Sequence, residues 1–375
     1  MNRRARATRT ACGVFAAALL LGACTRDGAE PPAAAAPGTA PSAAAQPMTG
    51  PTPRGTLLVA DFGADTVTFV DPRHGATGSV TVGRAPYALA VGADGRAWVA
   101  TAEGVAVVDT RTRQRLARIP HRTATGPVTD GEYRGGGMGI ALSPDGTRAY
   151  VGVNVPGGNG VLEVVDTATR EVTAAVPVGR RPFDVDVSRD GTEVYVTGHD
   201  SFDVTAVRAD TLRPRRIEVA PYGTEGGTAS WLKPHYTVVR PSDGKLLLPF
   251  EGERLAVVDP RTGRTAIEAM TADTHQHGAV ATPDGGLLVV GTGAVRPGEG
   301  KGPSLTVRSA DGTERIVPLQ GPHEDVAVSP DGRTAYITGG HTRDGHWDGI
   351  TVVDLGTDAT RRLPAGTRPL GIAVL

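Results

Sequence analysis

The sequence predicts an all-β protein, a seven-bladed β-propeller of four-stranded antiparallel blades, and three observations predict it. A short phrase recurs as Gly92-Ala93-Asp94-Gly95, Ser143-Pro144-Asp145-Gly146, Ser188-Arg189-Asp190-Gly191, Pro241-Ser242-Asp243-Gly244, Thr282-Pro283-Asp284-Gly285 and Ser329-Pro330-Asp331-Gly332. Its aspartates lie 41 to 53 residues apart, a period that marks a repeat architecture. Each phrase sits among short alternating apolar runs, such as Ala149-Tyr150-Val151-Gly152-Val153 and Leu162-Glu163-Val164-Val165-Asp166, which read as strands joined by tight turns. The ends of the repeating region are also complementary. The N-terminal stretch supplies three strands (Leu57–Ala60, Val67–Asp71, Ser79–Val82), and Leu370-Gly371-Ile372-Ala373-Val374 supplies the missing one.

The third repeat shows the unit. Gly137–Ser143 forms a first strand, Pro-Asp-Gly a hairpin turn, Arg148–Val153 a second strand, Val161–Asp166 a third and Glu171–Val178 a fourth. The second turn, Asp166-Thr167-Ala168-Thr169-Arg170, returns as Asp259-Pro260-Arg261-Thr262-Gly263. A blade shared between the two termini closes the ring and removes its open edges, which an unclosed solenoid of the same repeats would expose. The turn aspartates are turn-formers, not catalytic groups.

Residues 1–24 read as a targeting segment, with Arg3, Arg4, Arg6 and Arg9 ahead of the short apolar core Val14–Leu21. Leu21-Gly22-Ala23-Cys24 resembles a bacterial lipobox. The resemblance implies cleavage before Cys24, lipidation of its thiol, and a protein anchored to the outer face of a bacterial membrane. Residues 25–54, rich in Ala, Pro, Thr, Ser and Gly, read as a disordered tether, and 55–375 as the propeller. Cys12 lies in the leader, so the mature chain has no disulfide to form. A net charge of −1 offers no basic field for nucleic acid.

Gly179-Arg180-Arg181-Pro182-Phe183-Asp184-Val185-Asp186-Val187-Ser188 with Tyr195-Val196-Thr197-Gly198, and Val326-Ala327-Val328-Ser329-Pro330-Asp331-Gly332 with Tyr336-Ile337-Thr338, resemble the YVTN family of propellers, itself similar to the WD40-like superfamily. The likeness spans residues 56–375 and implies the fold, not an activity.

In a four-stranded blade, the two-to-three loops and the blade-to-blade connections share one face. Eight of the nine histidines fall on it: His199, His341 and His346 in loops, and His121, His235, His275, His277 and His323 in or beside connections. Only His74 sits in a turn of the other face. Eight residues before the turn aspartate, where the innermost strand opens, stand Pro86, Gly137, Pro182, His235, Gln276 and His323. His235, His277 and His323 are therefore expected to converge at one tunnel mouth. His275-Gln276-His277 adds a His-x-His pair whose side chains point the same way along an extended strand. Asp184 and Asp325, each six residues before its turn aspartate, are further candidate donors. Imidazole with carboxylate suits Zn, Cu or Fe over Ca or Mg.

The same face carries the long loops, with Tyr133, Tyr222, Trp231 and Trp347 and with Glu132, Glu225, Glu251 and Glu253. The expected function is that of a membrane-tethered binding protein for a metal ion, a small ligand or a protein on this face. An enzyme is the alternative. Pro234-His235-Tyr236 ahead of Leu246-Leu247-Leu248-Pro249, and Gly321-Pro322-His323, look like the seven-bladed lactonase family. That resemblance implies His235 or His323 as general base, with Glu251 or Arg254 polarising a carbonyl. No Gly-x-Ser-x-Gly elbow supports a serine nucleophile. A protein-interaction platform with no small-molecule site is the third reading.

Overall fold

The structure is a computed structural model that describes residues 54–375 apart from Asp130, Glu132, 220–232, 251–253, Asp273, 295–300 and 341–344. The described strands form seven four-stranded antiparallel sheets. Blade 1 joins the C-terminal strand Pro369–Val374 to Leu57–Asp61, Thr66–Asp71 and Gly75–Thr81. Leu57 faces Val374 and Val59 faces Ile372 across the closure, and the Leu375 amide donates to the Thr56 carbonyl at 2.9 Å. The expected shared blade is therefore present. Its fourth strand begins at Gly75, four residues earlier than the apolar pattern places it, because the turn glycine itself pairs with Asp71.

Blades 2 to 7 follow in chain order. Their first strands are Leu89–Val91, Gly136–Leu142, Pro182–Val187, Val238–Val239, Thr274–Ala281 and Val326–Val328. The aspartate phrases make the turns as expected. In blade 3 the Thr147 amide and the Ser143 hydroxyl both donate to Asp145 Oδ1, and Gly146 takes the left-handed φ of 70° that only glycine adopts cheaply. Second and third strands bury continuous apolar runs between neighbouring blades, as in the cluster of Trp98, Val105, Val107, Ile140, Val151 and Val165 across blades 2 and 3.

Two layers line the axis. Six residues before the turn aspartate lie Ala88, Gly139, Asp184, Thr237, Gly278 and Asp325, with Gly371 in blade 1 at the corresponding place. Here the backbones nearly touch: a Cβ on Gly278 would stand 2.6 Å from Asp325 Cα, and one on Gly139 2.6 Å from Asp184 Cα. One residue earlier lie Tyr87, Met138, Phe183 and Tyr236. With Phe62 and Leu370 they form one apolar cluster drawn from blades 1 to 5. Side chains from so many blades meet only on the axis, so this layer plugs the tunnel beneath the loop-rich face. On blades 6 and 7 the same position is His277 and Glu324.

Candidate metal centre

The entering segment of blade 5 and the first strand of blade 6 bring three imidazoles together. His235, His275 and His277 are all buried, and their ligand nitrogens lie within 4.8 Å of one another. The rings of His235 and His277 stack with centroids 4.3 Å apart, and those of His275 and His277 meet edge-on at 4.5 Å. His275 and His277 stand two residues apart on the extended first strand of blade 6, which puts them on the same side, although its pairing with the second strand shifts register between Thr274 and Gln276 and again between Gln276 and Ala279.

Carboxylates stand behind the rings. His277 Nδ1 lies 3.1 Å from Glu324 Oε1, which also accepts the Tyr236 hydroxyl at 3.1 Å. The oxygen that accepts the tyrosine hydroxyl is an acceptor for the imidazole too, which places the His277 proton on Nδ1. His277 Nε2 is buried and has no hydrogen-bond partner among the described residues. A fourth imidazole, His199 of blade 4, lies outside the trio but places Nε2 3.1 Å from His235 Nε2. Its ring stacks on Phe183 at 5.4 Å and tilts against Tyr133 at 5.5 Å. Burial pushes the His199 imidazole down to about 3, with Asp200 opposing. Burial would raise the Asp200 carboxyl, but His199, Lys233 and Arg181 hold it well below the ordinary range.

His323 is not part of the group, contrary to the expected convergence of His235, His277 and His323. Its Nδ1 lies 2.8 Å from the Gly321 carbonyl and its Nε2 2.7 Å from Thr351 Oγ1, both within blade 7. Blade 5 has Ala256 where blade 7 has Thr351, each three residues before the aspartate that ends the third strand, so that strand offers no hydroxyl at this place in blade 5. Burial pushes His323 down to about 4.

Asp184 and Asp325 also have other work. Asp184 accepts the Val185 amide and, across the blade boundary, the Thr237 amide, each at 2.9 Å. Asp325 accepts the Val326 amide at 2.8 Å and the Ile372 amide of blade 1 at 3.3 Å. They are clamps between blades, and neither joins the imidazole group. Burial pushes Asp184 up to about 6 and Asp325 to about 8, against those amide bonds.

Arg254 opens the third strand of blade 5 opposite Phe250, half-buried and outside the trio. Glu251 and Cys24 lie outside the described residues, as do Glu132, Tyr222, Glu225, Trp231, Glu253 and His341. Of the three remaining histidines, His346 is exposed in the blade 7 loop and two serve locally. His121 bonds Glu163 at 2.8 Å, and His74 bonds Asp71 at 3.1 Å in an exposed turn. The residues that sequence reasoning missed are His199, Asp200 and Glu324. Glu324 was reachable by moving the blade alignment one position along, to where His277 stands.

Fold and site thus define a class: a closed seven-bladed propeller with a buried imidazole cluster at one end of its plugged axis. No family model matches the chain, and no curated relative matches it. Among solved structures, it is similar to hydrazine synthase of Kuenenia stuttgartiensis, at 18% identity over 76% of this chain and 88% of that one, with a TM-score of 0.60. It is similar to a functionally unknown protein of Desulfotomaculum acetoxidans, at 11% identity over 85% of this chain and 98% of that one, TM-score 0.65. A catalytically inactive virginiamycin B lyase of Staphylococcus aureus, solved with quinupristin, gives 13% identity, coverage of 82% and 88%, and a TM-score of 0.55. At these identities the likeness carries the propeller fold alone.

Proposed function

We propose that this protein is an exported, membrane-tethered propeller of the YVTN type that holds one transition-metal ion at the tunnel mouth. The observation that carries the reading is the trio itself: His235, His275 and His277, buried, with ligand nitrogens within 4.8 Å of one another. Three imidazoles at such spacing can converge on one ion at about 2 Å each. A donor set of imidazoles alone suits Zn, Cu or Fe, and the carboxylate behind His277 is the outer partner that metal-bound histidines use. The lipobox-like Leu21-Gly22-Ala23-Cys24 and the Ala/Pro-rich stretch after it support a lipid anchor and a tether. Metal delivery, sensing or scavenging outside the cytoplasm follows from the two together, with a small ligand or a protein partner meeting the same face. The lactonase-like hydrolase, with His235 or His323 as general base and Glu251 or Arg254 polarising the carbonyl, is the alternative reading, and lactone hydrolysis lost in His235→Ala would favour it.

Elemental analysis tests this on the mature protein, purified without chelators or a histidine tag, beside His235→Ala/His277→Ala. Near-stoichiometric Zn, Cu or Fe in the parent and none in the double variant is expected. No metal in the parent, and no uptake on titration, overturns the reading. Labelling with a fatty acid, lost in Cys24→Ala, checks the anchor.

A further inference from the structure

Asp200, His199 and His235 stand in line. Asp200 Oδ1 is 2.9 Å from His199 Nδ1, and His199 Nε2 is 3.1 Å from His235 Nε2. The carboxylate is itself held, by Lys233 Nζ on Oδ1 at 2.7 Å and by Arg181 on Oδ2 at 2.8 Å, so it stays an acceptor. The His199 Nδ1 proton therefore points to Asp200. Arg181 Nη1 also lies 3.4 Å from that nitrogen, but an unprotonated Nδ1 would set its lone pair against the carboxylate at the shorter distance of 2.9 Å, so the proton belongs on Nδ1. With Nδ1 protonated in a neutral ring, His199 Nε2 carries a lone pair. Two lone pairs do not meet at 3.1 Å, so His235 Nε2 must carry a proton and donate it. His235 is then left with Nδ1 as its basic nitrogen.

On the far side of the trio the order is reversed. Glu324 Oε1 accepts the hydrogen bond from His277 Nδ1–H, which leaves the lone pair on Nε2.

We propose that Asp200 and His199 are positioning residues that hold His235 as an Nδ1 ligand, while Glu324 holds His277 as an Nε2 ligand, around one divalent ion. The inference rests on the metal reading above and extends it in two ways. It gives the trio a mixed set of ligand atoms, which a histidine chosen for packing would have no reason to adopt. It also makes His199 an outer partner instead of a fourth ligand, so the ion keeps one position for water or a small donor ligand. Outer partners of this kind change metal affinity by roughly 10- to 100-fold when removed.

Long-range proton–nitrogen correlation spectra of histidine-labelled protein read the tautomers directly, first metal-free and then with Zn(II). The expected metal-free pattern is a proton on His199 Nδ1 and on His235 Nε2. Zinc is expected to shift His235 Nδ1 and His277 Nε2 and to leave His199 Nε2 unbound. A zinc-bound His199 Nε2, or His235 bound through Nε2, overturns the proposal. If the metal-free tautomers are as expected but zinc does not bind, the metal reading fails and the hydrogen-bonded line remains.

His199→Phe and His199→Gln supply the second measurement. Phenylalanine keeps the stacking on Phe183 and loses the acceptor, and zinc affinity is expected to fall by about 10- to 100-fold. Glutamine can accept from His235 through its Oε1 and is expected to recover most of that loss. Equal loss in both variants, with one fewer nitrogen ligand by X-ray absorption, would make His199 a ligand and sink the proposal.

Discussion

Replacing Asp200 by Asn tests how much of the site's rigidity is electrostatic. The carboxylate accepts from His199, Lys233 and Arg181 at 2.9, 2.7 and 2.8 Å, and Asp200, Lys233 and Arg181 expose only 13%, 13% and 21% of their side chains. Asn keeps the shape but leaves two cations facing each other with no counter-charge. Breaking a fully buried pair costs about 3–5 kcal/mol, and a surface pair about 0–1. These side chains lie nearer the buried end, and the residual exposure brings the expected cost to about 2–3 kcal/mol. At about 2.1 cal/mol/K of unfolding entropy per residue over residues 55–375, each kcal/mol moves Tm by about 1.5 °C. Differential scanning calorimetry of the metal-free protein should therefore show a fall of about 3–5 °C. Asp210→Asn, which breaks the exposed pair with Arg208, is the control and should leave the midpoint where it was. An Asp200→Asn midpoint indistinguishable from that control would refute the argument that the Arg181–Asp200–Lys233 group braces His199.

Two further outcomes follow from the axis. Burial raises Asp325 to about 8 and Asp61 to about 7, so their folded forms bind protons that the unfolded chain has already released; this contribution is full below about pH 4 and is lost as pH rises through the folded values. His199 and His323, lowered to about 3 and 4, act in the opposite sense but only below their ordinary value of 6.5. Between pH 6.5 and 8 those two histidines no longer contribute and the raised carboxyls, Asp186 among them, act together, so urea unfolding should show stability falling by at least about 2 kcal/mol, with a flatter slope in Asp325→Asn; a rise with pH would contradict the assignment. Gly278→Ala would set a Cβ 2.7 Å from the Glu324 carbonyl oxygen and 2.6 Å from Asp325 Cα, neither of which is a movable side-chain tip. A loss of about 1–3 kcal/mol is expected by chemical denaturation, together with weaker metal uptake as Glu324 is pushed from His277; Gly302→Ala, with nothing near its added carbon, should show neither.

The repeat made the fold legible because each blade must restate the same turn chemistry. Asp145, Asp190 and Asp331 each accept an amide two residues on and a serine hydroxyl two residues back, so the phrase survives in sequence wherever the geometry does. The site was legible only in part, for a physical reason located in the innermost strands. Period-two alternation tells which side chains share a face only while pairing is regular, and the first strands break register at Gly137/Ile140, Pro182/Asp184 and Thr274/Gln276. Counting back from the turn therefore placed His235 and His323 at equivalent positions along the chain without fixing where their rings point. For His323 what fixes that is a residue on another strand, Thr351 where blade 5 has Ala256, which no alignment of the first strand contains. His275 and His277 were readable together because a His-x-His pair needs only two residues of local extension. His199 and Asp200 lie beyond the second strand of the neighbouring blade, and what joins them to His235 is the ring's curvature, which no linear pattern carries. The line from Asp200 through His199 to His235 is thus a property of adjacent blades, and perturbing it from blade 4 separates how the trio is held from what it holds.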